Sequence, residues 1–292
     1  MHRLKSADFR VSEGTQVDLK KWPTGVHPTY ETTRQYKEML AEHVRDLSAQ
    51  QELLYASNSY AVLLIFQAMD AAGKDGAIEH VMSGVNPQGC QVTSFKHPSE
   101  EELKHDFLWR TTRALPARGQ IGIFNRSDYE EVLIARVHPQ ILRAEGLPSE
   151  ALDEKAVWQH RYRSILDLEK HLDRNGTKII KFFLHLSKEE QRRRFLERIE
   201  KPDKNWKFSA ADVEERKYWK QYMKVYEKCL SATSTRHAPW YIVPADDKLD
   251  TRLIVSRILL DTIASLKLRY PKSSAARRRE LQSLRKQLLK DD

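Results

Sequence analysis

A lysine that follows a glycine just after a buried strand can meet a phosphate, and Gly73-Lys74 stands in that place. The run Tyr60 to Phe66 (YAVLLIF) reads as a strand covered on both faces. The small-residue turn QAMDAAGKDG follows it, and a helical stretch begins near Ala77. At such a junction the free N–H groups of the helix N-terminus point at an anion, and glycine lets the main chain approach closely. The loop departs from the pattern GxxxxGK[ST]. Ala68 replaces its first glycine, and Asp75 stands where Ser or Thr would hold magnesium. A metal here needs another oxygen, and Asp70 inside the loop is the nearest candidate to hold Mg²⁺. An ordinary strand-to-helix turn containing Gly-Lys is the plainer reading. The buried strand before the loop and Asp70 within it favour phosphate.

Polar residues also collect at the end of a second apolar run, in Ile121 to Glu130 (IGIFNRSDYE). In an open parallel sheet the carboxyl edge of the strands is where ligands bind. Asn125 takes the strand-end position where an aspartate is usual, and Arg126 is placed to meet phosphate. Asp128 and Glu130 restore negative charge near a metal or nucleotide. The same residues suit a helix N-terminus, with Ser127 or Asp128 as cap and acids in the first turn. Both readings stand.

The third feature is a set of cations expected to face the same edge: Arg110, Arg113, Arg118, Arg161, Arg163, Arg194, Arg198, Lys204 and Lys207. Arg194 and Arg198 are four apart and share a helix face. One such residue is ordinarily a solvated surface group. As a group they suit a longer anion than a nucleotide triphosphate.

These residues need a scaffold that brings strand ends together. Strand-like runs recur at Gln91 to Phe95, Gln120 to Phe124, Lys178 to Leu186 and Trp240 to Val243. Helical stretches lie between them: Ser99 to Leu115, Tyr129 to Val137, Glu154 to Asn175, Lys188 to Ile199 and Leu249 to Tyr270. The alternation predicts an α/β domain with a five-stranded parallel sheet flanked by helices. An amphipathic helix from Thr29 to about Ala56 precedes it, after an extended N-terminal arm over 1–28. The charged, aromatic-rich segment from about 200 to 235 interrupts the rhythm and is expected to be a helical lid. Residues 272–292 form a basic C-terminal tail, with seven Lys and Arg against three acids and a weak stripe of Leu281, Leu284 and Leu288. A solvated or packed helix is the plainer reading of the tail, and a polyanion-binding or oligomerisation helix the sharper one.

The 292 residues suit one large domain, 29–271, and 40% apolar residues suffice for its core. The net charge of +9 points to an anionic partner. Cys90 and Cys229 show no disulfide or zinc spacing, which fits a reducing, cytoplasmic location. The N-terminus has no apolar signal core, and the longest apolar run, Ala61 to Phe66, is too short to span a membrane.

Six motifs in one register give the chain a family likeness: MDAAGKDG (Met69 to Gly76), FNRSDYE (Phe124 to Glu130), WQHRYRSILDLE (Trp158 to Glu169), KFFLHLSKEEQRRR (Lys181 to Arg194), PDKNWKFSAAD (Pro202 to Asp212) and APWYIVPAD (Ala238 to Asp246). From about Leu19 to Pro271 the sequence resembles the type-two polyphosphate kinases. The resemblance implies a P-loop kinase fold like that of thymidylate kinases, with a helical lid. It implies magnesium-dependent, reversible phosphoryl transfer between inorganic polyphosphate and AMP, ADP or ATP. Asp70 and Lys74 match the family's Walker A pair, and Arg126 its Walker B arginine; these three are the expected catalytic residues. Asp70, Asn125, Asp128 and Glu130 are expected at the nucleotide. Gly73, Lys74, Asp75, Gly76, Arg126, Arg118, Arg161, Arg194, Arg198, Lys204 and Lys207 are expected at polyphosphate. Many members carry FDRSWYN. Asn125 and Glu130 instead look like the class III branch, which phosphorylates AMP as well as ADP. A homo-oligomer, dimer or tetramer, is expected from the resemblance.

An ATP-dependent P-loop kinase for a small molecule explains the loop but not the cations or the ordered motifs. A nucleic-acid-binding module would use the basic residues without turnover. No nucleic-acid-reading motif is present, and the absence of NKxD argues against a GTPase.

Overall fold

The computed structural model describes residues 4–153 and 156–290. Five strands form one parallel sheet: β1 (Ala61–Ala68), β2 (Cys90–Ser94), β3 (Ile121–Asn125), β4 (Thr177–His185) and β5 (Trp240–Pro244), in the order β2-β3-β1-β4-β5. The helices are α1 (Thr33–Ser57), α2 (Lys74–Val81), α3 (Trp109–Thr112), α4 (Glu130–Val137), α5 (Pro139–Ala144), α6 (Val157–Arg174), α7 (Lys188–Glu200), α8 (Ala210–Glu215), α9 (Trp219–Thr233), α10 (Lys248–Ser265) and α11 (Ala275–Leu288).

β1 is apolar from Ala61 to Phe66 because helices cover both faces of the sheet. Its side chains alternate between two cores. Val62, Leu64 and Phe66 join residues of α1, α2 and α10 on one face; Leu63 and Ile65 join α4, α6 and α9 on the other. β1 also runs further than β3. Phe66 pairs with Asn125, the last residue of β3, while Gln67 and Ala68 continue along β4. The phosphate loop therefore opens at the carboxyl edge, beside the chain leaving β3.

The arm is fastened to the domain. Val11 N–H donates to the Trp240 carbonyl at 2.9 Å, Arg10 bridges Tyr241 antiparallel, and Leu19 N–H donates to Glu227 at 2.9 Å. Phe9, Val11, Val17 and Leu19 are buried.

Three expectations change. The stretch Ser99 to Leu115 is not one helix but a 3-10 turn at Glu102–Lys104 and the single turn of α3. Between them the Asp106 carboxylate accepts from Leu108 N–H at 3.0 Å, a local turn that competes with helix. In the expected lid, α9 is scaffold. Tyr222, Val225, Tyr226, Cys229, Leu230 and Thr233 recur at helical spacing and are buried, so only the chain before α9 is peripheral. The last long helix, α10, ends at Ser265 rather than Tyr270. The expected start at Glu154, the first three residues of the arm and the acids Asp291 and Asp292 lie outside the described residues. In the tail, α11 has no buried residue, and Leu281, Leu284 and Leu288 are all exposed. No helix among the described residues is long and apolar enough to cross a membrane.

Candidate active site

The loop between β1 and α2 holds its shape through two left-handed residues, Ala71 at φ 62° and Gly73 at φ 99°. At Gly73 a side chain would be strained at that φ, and its Cβ would come within 3.7 Å of the Arg194 guanidinium. The turn presents the N-terminus of α2 to a cleft of about 750 Å³. Lys74 opens α2, and its Nζ donates to the Ala68 carbonyl at 3.1 Å. Burial, and then the neighbouring Arg126 charge, push its pKa below the ordinary lysine value, with Asp70 and Glu130 opposing. An anion in the cleft reverses that pressure.

Arg126 also takes a left-handed conformation, φ 67°, with its N–H donating to the Phe66 carbonyl at 3.0 Å. Such backbone costs of order 1–3 kcal/mol and collects at working sites. It brings the Arg126 guanidinium within 3.0 Å of Asp70 Oδ1 and 3.6 Å of Glu130 Oε2. Asn125 Nδ2 donates to Asp75 Oδ1 at 2.6 Å, tying the end of β3 to the start of α2. Asp70, Lys74, Asp75, Asn125 and Arg126 thus converge on one cleft. Gly73, Gly76, Arg198, Lys204 and Lys207 line it as well.

Arg194 lines the cleft, but its donors face away from a ligand. One guanidinium nitrogen donates to the Ala71 and Ala72 carbonyls at 2.9 and 3.0 Å. The other donates to Ala245 and Asp246 at 2.7 and 3.0 Å, and Nε donates to Glu190 at 2.7 Å. All five donors of an arginine are engaged. Arg194 therefore holds the loop to the end of β5 and contributes only its charge to the cleft. Gln191, one turn earlier on α7, donates to the Asp70 carbonyl at 3.0 Å.

Four expected site residues do not line the cleft. Arg118 is exposed just before β3, at the amino edge of the sheet, because the chain enters β3 there. Arg161 is 4% exposed. It ion-pairs with Glu145 and donates to the Glu131 carbonyl at 2.9 Å, so it is a packing arginine. Asp128 is 5% exposed behind the sheet, where burial and then the nearby Glu169 push its pKa up to about 7. It does not line the cleft. Glu130 does not line it either but stands behind Arg126 as its counter-charge. Of the other cations, Arg110 is buried against Glu131, Arg113 stacks on Trp109, and Arg163 pairs with Asp167.

The sequence reading missed Lys96, Lys248, Arg252 and Trp206, all of which line the cleft. Lys248 opens α10 after β5, so the rule that ligands meet strand ends could have found it. Burial, and then the charge of Arg194, lower its pKa, with other cations adding to the pressure. Such crowding of like charges suits a polyanion.

The carboxylates offer a hard, oxygen-only donor set. Asp70 is about one-third exposed at the cleft and Asp75 stands on its rim. That suits Mg²⁺, which takes one or two carboxylates and completes its shell with phosphates and water.

Comparison with known proteins follows the same outline. The family model described as Polyphosphate kinase 2 matches residues 30–271. An ADP-polyphosphate phosphotransferase of Rhodopseudomonas palustris is 64% identical over 288 residues, covering 99% of this chain and 100% of the relative. An AMP/ADP-polyphosphate phosphotransferase of Meiothermus ruber is 43% identical over 269 residues, 92% of this chain and 96% of that one. A crystal structure of Polyphosphate Kinase 2 from Arthrobacter aurescens superposes with a TM-score of 0.84 at 39% identity, covering 96% of this chain and 97% of the other.

Proposed function

We propose, because this chain belongs to the polyphosphate kinase 2 family and because its cations line one continuous cleft, that it moves phosphoryl groups from inorganic polyphosphate to both AMP and ADP. It is a polyphosphate-dependent nucleotide phosphotransferase. The finer claim, that both nucleotides accept, is supported by Asn125 and Glu130 and by the 43% identical relative named for AMP and ADP. The observation that carries the reading is that Arg198, Lys204, Lys207, Lys248 and Arg252 line one space together with Lys74.

The chemistry is positioning and charge. The α2 N-terminus and Lys74 grip the terminal phosphates of the chain. Arg126, oriented by Asp70 and Glu130, meets the charge spread over the oxygens of the transferring group. Asp70, with Asp75 behind it, would hold Mg²⁺, which when bound neutralises phosphate charge. Arg194 and Gln191 keep the loop in place from beneath.

The test is purified protein with long-chain polyphosphate, Mg²⁺ and AMP, without ATP, followed by nucleotide chromatography. ADP and then ATP are expected. Turnover of ADP but not AMP would overturn the double-acceptor claim. Oligomeric assembly and a cytoplasmic location belong to this proposal too. They rest on the resemblance and on the unpaired thiols Cys90 and Cys229, and light scattering reads the assembly.

A further inference from the structure

The N-terminal arm reaches the working edge of the sheet. β5 is an edge strand, and the arm meets it at Arg10 and Val11. It then crosses α9, where Val17 N–H donates to the Ser231 hydroxyl at 2.8 Å and Leu19 N–H to Glu227 at 2.9 Å. Thr24 arrives at Asp246, two residues past the end of β5. All of this precedes residue 30, where the match to the family model begins. Thr24 and Asp246 are tied twice. Thr24 Oγ1 donates to Asp246 Oδ2 at 2.6 Å, and Asp246 N–H donates to the Thr24 carbonyl at 2.9 Å. The other carboxylate oxygen, Oδ1, accepts from Ser187 N–H at 2.7 Å. Ser187 is the N-cap of α7, and its hydroxyl accepts from Glu190 N–H at 3.0 Å. Glu190 in turn accepts from Arg194 Nε at 2.7 Å, and the Asp246 carbonyl accepts from the Arg194 guanidinium at 3.0 Å. One aspartate therefore fixes both the start of α7 and the arginine that grips the Ala71 and Ala72 carbonyls. Neither Thr24 nor Asp246 lines the cleft.

We infer that Thr24 is a positioning residue for phosphoryl transfer: the arm, through Asp246, sets the Arg194 fork and with it the seat of the phosphate loop. The inference deepens the function proposed above and rests on it. A carboxylate whose two oxygens each accept a bond in a part-buried place has one orientation. Without the Thr24 hydroxyl, Oδ2 loses its donor and the carboxylate is free to turn away from Ser187. The cap of α7 and the Arg194 fork then loosen together. Lys74 follows, because it stands two residues after Ala72, which the fork holds. Reacting groups tolerate little of this, since a displacement of about 1 Å can cost about 10²-fold in rate. The main-chain bond between Asp246 and Thr24 remains, so a smaller loss is expected from the hydroxyl alone.

The experiment measures turnover of polyphosphate with ADP and Mg²⁺ in the full chain, with thermal melts as folding controls. Thr24→Val removes the hydroxyl. It should lower kcat about three- to tenfold while KM for polyphosphate and for ADP each move less than about twofold, since no ligand contact changes. Thr24→Ser restores the donor and should bring kcat back to within about twofold of wild type. Asp246→Ala should lower kcat further, and adding Thr24→Val to it should cost nothing more, because the two act through one route. Glu227→Ala loosens the arm at Leu19 without touching Asp246, and it should keep the wild-type kcat. A wild-type kcat in Thr24→Val, no recovery in Thr24→Ser, an additive double variant or an equal loss in Glu227→Ala overturns the inference. Hydrogen exchange reads the same link without turnover. Amides of residues 67–76 should exchange faster in Thr24→Val than in wild type or in Glu227→Ala. Should wild type transfer nothing from polyphosphate, the function reading fails, and exchange still decides the link: faster in Thr24→Val supports it, and unchanged overturns it.

Discussion

Lys74 and Lys181 are both lysines at the sheet, and burial lowers the pKa of both, yet they do opposite work. Lys181, on β4, is 0% exposed. Its ammonium donates to both Glu169 oxygens at 2.9 and 2.7 Å, to Tyr129 OH at 2.8 Å and to the Thr233 carbonyl at 2.7 Å. That group is saturated and joins β4 to α6 and α9. Lys74 makes one bond, to a loop carbonyl, and faces an open cleft. The difference is the number of donors the fold itself engages. Arg161 and Arg194 belong with Lys181, while Arg126, Arg198 and Lys207 belong with Lys74. A cation with its donors engaged is architecture, and one with donors to offer at a concave surface is a binding group.

The largest effect should separate the two lysines. Lys181→Ala leaves Glu169 uncompensated in the interior and should cost about 3–5 kcal/mol of stability, read by denaturant unfolding. Lys74→Ala should leave the unfolding midpoint nearly unchanged and lower kcat by roughly 10²–10³-fold, the range for removing one transition-state donor. Loss of stability in Lys74→Ala without loss of turnover would erase the distinction.

Arg194→Lys sharpens it. The charge remains, but the fork that holds Ala71, Ala72, Ala245 and Asp246 is gone. Turnover should fall by up to about 10²-fold, as for a displaced reacting group, with a lowered melting temperature. A phosphate-binding role alone would raise KM for polyphosphate and leave stability intact.

Asp128 gives a pH signature of the architectural side. Its folded pKa of about 7 lies above the ~3.9 of an unfolded aspartate. The folded state therefore holds its proton between about pH 4 and 7, where the unfolded chain has lost it. Its contribution to stability is fully present at acid pH and fades as pH rises through 7. Asp128→Asn keeps a neutral group there. The melting-temperature difference, variant minus wild type, should become more positive from pH 5 to pH 8. A constant difference would contradict the burial account.

Much of this was legible in the sequence, and the limits have physical causes. Four strands show because buried parallel strands are continuous apolar runs, while the edge strand β2 (CQVTS) shows only by its β-type run between turns. The Lys74 loop shows because glycine and lysine must sit next to a strand end. α9 was mistaken for lid because its polar face is as charged as the segment before it. Only the 3.6-residue stripe from Tyr222 to Thr233 reveals its burial. Arg118, Arg161 and Asp128 were misplaced because side-chain type does not say which end of the sheet a residue occupies or whether a carboxylate partner is nearby. Lys248 and Arg252 were missed because they sit together on the helix after β5, far in sequence from the other cations.

The smallest effect tests the rim. Lys207→Ala removes one exposed cation and should raise KM for polyphosphate by about two- to fivefold, within the range of a single exposed charge interaction, with KM for nucleotide unchanged.

The most direct measurement of the central claim is label transfer. Polyphosphate carrying radioactive phosphorus is incubated with the protein, Mg²⁺ and unlabelled ADP, and the products are separated. The cleft described here predicts label in the terminal phosphate of ATP for wild type, and almost none for Lys74→Ala at equal folded concentration. Label appearing only as free inorganic phosphate, or transfer by Lys74→Ala at the wild-type rate, would contradict it.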